Sequence, residues 1–505
     1  MRLKKGFIIF LGFFLIIGIS TTCGRDTKDV IIIDIGQEQD TDENSDTDED
    51  DDDDDTGEDD DTDEDKVEST KDYTDQGGQT IAELSSLYDT SASDCNVNQI
   101  DNIASFSQSY LDDYIRGADI SSIIEIENAG GKFYDIDGYR VGDVLELLSY
   151  YGINWVRVRL WNNPYTEAGL PYGGGTNDLE TAIQISLRAK KWGMKVLLDF
   201  HYSDFWAHPG QQARPKDWVQ YATADELAPV LKQYTKDVLT QMHNAGVLPD
   251  MVQVGNETNW GFCGILDDVP LNNTKPNEKK LFAAGLEAVR EISAQYDKPI
   301  QTMLHAAGGM STIDWWFGVM QSLNFDVIGL SFYPRDHGTK TDLESGLQSL
   351  ANKYKKPICL VEYSVPYTSK SHSNSSGPPS GNASTLSFLD SDVTDRTIKS
   401  QAVTIRNINN AVMNFTVSGG TRYGIGSFWW EPAWLPLSGS AWAFTASNEW
   451  YRMELPGQEG INQNMPGNNP RVTEASKAFF SYEGTALPSL NAFLQMMGKD
   501  PRTGN

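Results

Sequence analysis

Two short apolar runs end in a carboxylate. "MVQVGNE" carries Glu257 at its end, and "PICLVEY" carries Glu362. Such runs read as buried strands, and a carboxylate at a strand end calls for a partner or a task. Two carboxylates facing each other across a pocket are what glycosidic bond cleavage requires. One holds a proton for the leaving oxygen, and the other is ionised to attack or stabilise the anomeric carbon. For either glutamate alone, an ion pair with Arg157 or Arg159 is explanation enough. A matched pair, the first preceded by Asn256, favours chemistry. Asn256 can bond a sugar hydroxyl beside the scissile bond, and Tyr333 can donate to the ionised carboxylate. No cofactor is required: the chain has no His-Glu-x-x-His zinc motif, Gly-x-Ser-x-Gly elbow or phosphate loop.

The elements that must position these residues are legible as a pattern. Strand candidates cover 116–122, 155–161, 195–202, 251–257, 300–305, 327–333, 358–363 and 424–431. Amphipathic helical stretches such as "LETAIQISLRAKKWG" lie between them, and several stop at a glycine, as at Gly152, Gly193 and Gly246. Strands alternating with helices in this number predict an α/β fold, a (β/α)₈ TIM barrel, with its site at the carboxyl ends of the strands. No Gly-x-Gly-x-x-Gly follows the first strand, which counts against a dinucleotide fold.

Every strand end is charged, imidazole or aromatic. The ends are Asp119, Arg157 with Arg159 and Trp161, Asp199 with His201, Asn256 with Glu257, His305, Tyr333, Glu362, and Trp430 with Glu431. Convergence on one pocket explains that better than core packing. Arg157, Asp199, His201, Asn256, His305, Tyr333, Trp206 and Trp430 are the expected substrate contacts around the two glutamates. Indole faces stack on the C–H patches of sugars, and Trp430 is expected to floor the cleavage subsite. Its neighbour Trp429 must point the other way, under the helices.

The flanks are of another kind. Arg2, Lys4 and Lys5 precede an apolar run from Phe7 to Ile19 that is too short to span a bilayer. Cys23 follows, as at a bacterial lipoprotein cleavage site, which predicts a lipid anchor at the outer membrane or cell surface. Residues 38–65 hold 20 acidic groups and no Lys or Arg, a large part of the net charge of −32. Such a segment repels itself and stays solvated, so it reads as a disordered spacer. The organisation expected is therefore a signal over 1–23, an acidic linker over 24–78, an extension over 79–112 and the barrel over 113–497. A chain this acidic is a poor partner for nucleic acid. Cys95, Cys263 and Cys359 show no metal-ligand spacing and cannot all pair with one another.

With these residues in place the chain resembles glycoside hydrolase family 53, the endo-β-1,4-galactanases, from about Arg116 to Phe493. The motifs that carry the resemblance are "RGADISS", "FYDIDG", "VRVRLWNNP", "KVLLDFHYSDFWAHPGQQ", "PDMVQVGNE", "DVIGLSFYP", "WWEPAW" and "GTALPSLNAF". It implies a retaining mechanism with Glu257 as acid/base, Glu362 as nucleophile and the carboxyl groups about 5–5.5 Å apart. It also implies internal cleavage of the β-1,4-galactan side chains of pectin, a neutral polymer, by a monomer. A related barrel glycosidase acting on another β-glycan, or a surface glycan-binding protein without catalysis, are the alternatives. Bacterial members often hold a structural calcium after the seventh strand. Here "TSKSHSNSSG" keeps His372 and Asn374 but has Ser and Lys where acids are expected, which argues against that site. Arg335 and Asp336 stand where an aromatic is common, and 440–474 is long enough to form an extra wall of the groove.

Overall fold

In the computed structural model the described residues are 71–88, scattered positions from 91 to 106, and 107–499 apart from 268–273, 373–385, 418 and 444–474. The expected signal, Cys23, the acidic tract, Cys95, Asn374 and most of 440–474 lie outside them. Eight parallel strands close into a barrel: β1 (Ile115–Asp119), β4 (Trp155–Leu160), β5 (Lys195–Phe200), β6 (Met251–Val254), β7 (Gln301–Ala307), β8 (Val327–Ser331), β9 (Ile358–Tyr363) and β10 (Gly424–Trp430). The barrel closes where β1 pairs with both β4 and β10. A short hairpin, β2 (Phe133–Tyr134) and β3 (Arg140–Val141), stands apart from it. Residues 71–78, expected at the end of the linker, are bonded to this hairpin: Asp72 N–H donates to Arg140 O at 2.9 Å and Gly78 N–H to Gly138 O at 3.0 Å.

The alternating pattern is realised because the strands are buried on both faces, as parallel barrel strands must be. Outward residues such as Val156, Val158, Leu198 and Val252 pack under the helices. The long helices Leu179–Lys191 and Ala224–Asn244 start at side-chain caps, Asp178 and Thr223. They stop before Gly193 and Gly246, which take φ of 70° and 75°. Inside the barrel, its lower end is filled by Ile115, Trp155, Leu197, Met303 and Phe428. A Cβ on Gly117 would lie 2.1 Å from the Phe428 ring, so this β1 position has room only for glycine.

Above that apolar floor two strands depart from simple alternation. Cys359 and Val361 of β9 both face the barrel interior, so plain alternation would turn Glu362 outward. The register between β8 and β9 shifts between Leu330 and Ser331, where Ser331 pairs with Glu362. This bulge re-aims the carboxylate into the mouth, a use of bulges beside active sites that recurs in barrels. On β6, pairing ends at Val254. Gly255 (φ 90°) and Glu257 (φ 48°) then turn the chain sharply, and a Cβ on Gly255 would meet Thr258 at 2.7 Å.

Candidate active site

Glu257, Glu362, Asn256, His201, Tyr333, Trp206 and Trp430 line one cleft at the carboxyl ends of the strands, about 210 Å³ in volume. The carboxylates of Glu257 and Glu362 and a ring nitrogen of His305 all approach within 4.8 Å of one another. The two glutamates therefore face each other, as their strand positions predicted.

Their surroundings differ. Arg157 Nη1 donates to Glu362 Oε1 at 2.8 Å, and Tyr333 O–H donates to Oε2 at 2.9 Å. Both interactions favour the ionised form. Burial raises the Glu362 carboxyl against the pull of Arg157 and Tyr333. Among the described residues no arginine is hydrogen-bonded to Glu257, and Arg157 pulls on it only from beyond that distance. Burial first, and then the charge of Glu362, push its carboxyl far above the usual carboxylate range. In a pair of acids with one cation between them, the member without the cation keeps the proton. That member is Glu257.

Arg157 lies in the lining of the cleft, beneath the two acids. It is 1% exposed, and each of its five N–H groups already has an acceptor. Nε donates to Gln253 at 3.2 Å, Nη1 to Asp119 at 2.7 Å and to Glu362, and Nη2 to Asp199 at 2.8 Å and Asn256 at 2.7 Å. No donor remains for a ligand. From the cleft lining, Arg157 holds the three acids in place.

Asp199 and His305, also expected to meet substrate, lie behind the cleft and are fully buried. Asp199 bonds Arg157, Gln253 Nε2 at 2.6 Å and His201 Nε2 at 3.2 Å. Burial would raise its carboxyl, but Arg157 and His201 hold it below its ordinary value. Burial keeps His305 neutral. The Glu257 N–H points at its Nδ1 (3.2 Å), so the ring proton sits on Nε2 and is donated to Ser331 Oγ at 3.0 Å. Ser331 also pulls the Glu257 carboxyl down, against its burial. Asn256 accepts from Arg157 and donates one amide hydrogen to Ala207 O at 2.8 Å, leaving the other for the cleft.

Arg159, two residues on, serves the aromatic wall. It pairs with Glu431 and lies 4.3 Å from the Trp206 ring centroid. Trp206 stacks on Trp442 at 4.0 Å with the planes 9° apart, and Trp430 stands 6.3 Å from Trp206. Trp429 faces away, packed on Tyr363 and Phe479. Trp442, His208 and Lys477 also line the cleft and were not anticipated. Trp442 belongs to the long 440–474 segment, and its adjacency to a suspected wall was the available signal. Nothing in the local sequence marks Lys477. Gln253 and Ser331 were missed because each is a polar residue within an apolar strand, where a core hydrogen bond is the ordinary explanation. His372 packs edge-on to Tyr482, 5.3 Å between centroids.

A closed parallel barrel with two facing carboxylates and an aromatic wall at its mouth defines a barrel glycosidase. Residues 115–493 match the model of glycosyl hydrolase family 53, and the chain belongs to that family. It is 38% identical over 404 residues to the endo-beta-1,4-galactanase of Bacillus subtilis, covering 75% of this chain and 85% of that protein. An arabinogalactan endo-beta-1,4-galactanase of Thermothelomyces thermophilus is 30% identical over 63% of this chain and 90% of its own length. The catalytic domain of a family member from Ignisphaera aggregans superposes with a TM-score of 0.63 at 32% identity, over 78% of this chain and 98% of that one.

Proposed function

We propose that this protein is a retaining endo-β-1,4-galactanase in which Glu362 is the nucleophile and Glu257 the acid/base. The observation that carries the assignment is the asymmetry of the pair. Two carboxylates approach within 4.8 Å, and only Glu362 has an arginine and a tyrosine hydroxyl on it. Inverting enzymes need roughly 6.5–9.5 Å between carboxyl groups to admit a water, whereas retaining ones stand about 5–5.5 Å apart. The close approach supports retention. The substrate comes from the family and from the galactanases that the chain resembles.

In the first step a Glu362 oxygen bonds the anomeric carbon as the glycosidic C–O bond breaks, and Glu257 gives its proton to the departing oxygen. Arg157, no longer facing a full charge on Glu362, remains neutralised by Asp119 and Asp199. Loss of the Glu362 charge in the ester also removes the second of the two causes, after burial, that raise the Glu257 carboxyl. Glu257 can then exist as a carboxylate and take a proton from water, which attacks the anomeric carbon and releases Glu362. In this reading the second amide hydrogen of Asn256 bonds a sugar hydroxyl at the reacting ring, and Trp430 stacks on that ring.

Product release from linear β-1,4-galactan, beside mannan, xylan and glucan, tests this directly. Oligosaccharides from galactan alone, abolished in Glu362→Ala, are the expected result. Galactan binding without release would make the barrel a capture protein and overturn both assignments. The N-terminal pattern before Cys23 supports a lipid anchor, checked by labelling with a radioactive fatty acid that Cys23→Ala should abolish.

A further inference from the structure

The cleft at the two glutamates encloses about 210 Å³, less than the roughly 300–1,000 Å³ of a pocket for a drug-sized ligand. Only a short part of a polymer fits there, so the rest of the chain must cross the rim. One aromatic pair outside the cleft lining follows the end of β6 that carries Glu257. Trp260 is 48% exposed and is the one tryptophan among the exposed large apolar residues described. It stacks on Trp315, with ring centroids 5.3 Å apart and planes 24° from parallel.

The backbone holds Trp260 in a fixed relation to Glu257, three residues before it. Thr258 and Asn259 between them are fully buried. Thr258 O–H donates to His305 O at 3.0 Å. Asn259 clamps the end of β7, donating to Ala307 O at 2.7 Å and accepting from Ala307 N–H at 2.8 Å. Gln212 Nε2 donates to Asn256 O at 2.8 Å on the other side. The chain thus spends two polar residues on anchoring and presents the third as a half-open indole. Trp315 lies on the helix Met310–Met320 that follows β7. Its neighbour Asp314, with Ser311, His337, Asp342 and Ser345, lines a second, polar hollow.

We propose that Trp260, backed by Trp315, is a sugar-stacking platform for the part of the galactan chain on the leaving-group side of the scissile bond. This rests on the assignment of Glu257 as acid. An acid stands beside the oxygen it protonates, so residues just beyond it face the departing sugars. The face of galactopyranose opposite its axial hydroxyl is a patch of C–H bonds, which matches an indole face.

The test compares wild type, Trp260→Ala and Trp260→Phe on linear β-1,4-galactan and on an aryl β-1,4-galacto-oligosaccharide, whose leaving group carries no sugar. Trp260→Ala should lose roughly three- to tenfold in kcat/KM on galactan, mostly through KM, and much less on the aryl substrate. Trp260→Phe should recover most of the loss. Transfer of glycosyl units to added galactotriose, which must bind on the leaving-group side, should fall relative to hydrolysis in Trp260→Ala. Equal losses on both substrates, or none on galactan with transfer unchanged, overturn the platform while leaving the galactanase assignment intact. Failure of wild type to cleave galactan removes that assignment, and the platform with it.

Discussion

The floor and the mouth of the barrel are built from the same strands, one step apart. On β4 the inward residues run Trp155, Arg157, Arg159; on β5, Leu197 and Asp199; on β7, Met303 and His305. Two residues along a strand separate an apolar plug from a charged network. The plug is held by burial and dispersion, which respond to volume. The network is held by saturation, because the five donors of Arg157 meet five acceptors and three of those are carboxylates. A change in the floor should therefore cost stability and spare chemistry. At the mouth even a small change should cost chemistry, because it leaves a charge buried without its partner.

The largest effect expected is on the glutamates. Glu362→Ala should abolish galactan hydrolysis. Glu257→Ala should lower it by roughly 10²–10⁴-fold, the usual worth of general acid catalysis. Its loss on an aryl substrate that needs no proton should be far smaller, and equal losses on both would remove the acid role. Next comes Arg157→Met, which leaves Asp119, Asp199 and Glu362 without their shared cation. It should lower kcat on galactan and reduce stability to urea by about 3–5 kcal/mol. The floor supplies the contrast. Phe428→Ala opens a cavity beneath the site and should cost a similar ~3–5 kcal/mol, while the folded enzyme keeps its wild-type kcat. A fall in kcat at Phe428 as steep as that at Arg157 would erase the distinction between the two layers.

The same division decides what could be read from the sequence. The floor and the helix-facing residues follow alternation and amphipathic periodicity, so eight strands and the barrel were legible, as was the polarity of every strand end. Which polar end reaches the cleft was not. Asp199 sits one layer below Glu257, and nothing in "LLDFHY" says that its oxygens are already taken by Arg157, Gln253 and His201. The aim of Glu362 depends on a bulge whose cause is the register of β8 against β9, a relation between distant segments. Trp442 reaches the wall from more than 200 residues beyond Trp206, the ring on which it stacks. Local pattern carries the layers, and long-range pairing carries the contacts.

The smallest effect separates the layers by sign. Removing an apolar floor side chain destabilises, whereas neutralising the acid at the mouth should stabilise. The folded protein holds the Glu257 carboxyl well above its ordinary value, chiefly through burial and the charge of Glu362. Below the ordinary glutamate range both folded and unfolded chains carry the proton, and its burial is without penalty. As pH rises, the unfolded chain releases that proton first, so wild-type stability declines until the pH passes the raised folded value. Glu257→Gln keeps the shape and the hydrogen-bonding capacity without titrating. Its melting temperature should match wild type near pH 4 and exceed it by on the order of a few degrees near pH 8. A difference that is the same at both pH values would mean that glutamine acts through packing, and the proton on Glu257 would lose its support from stability.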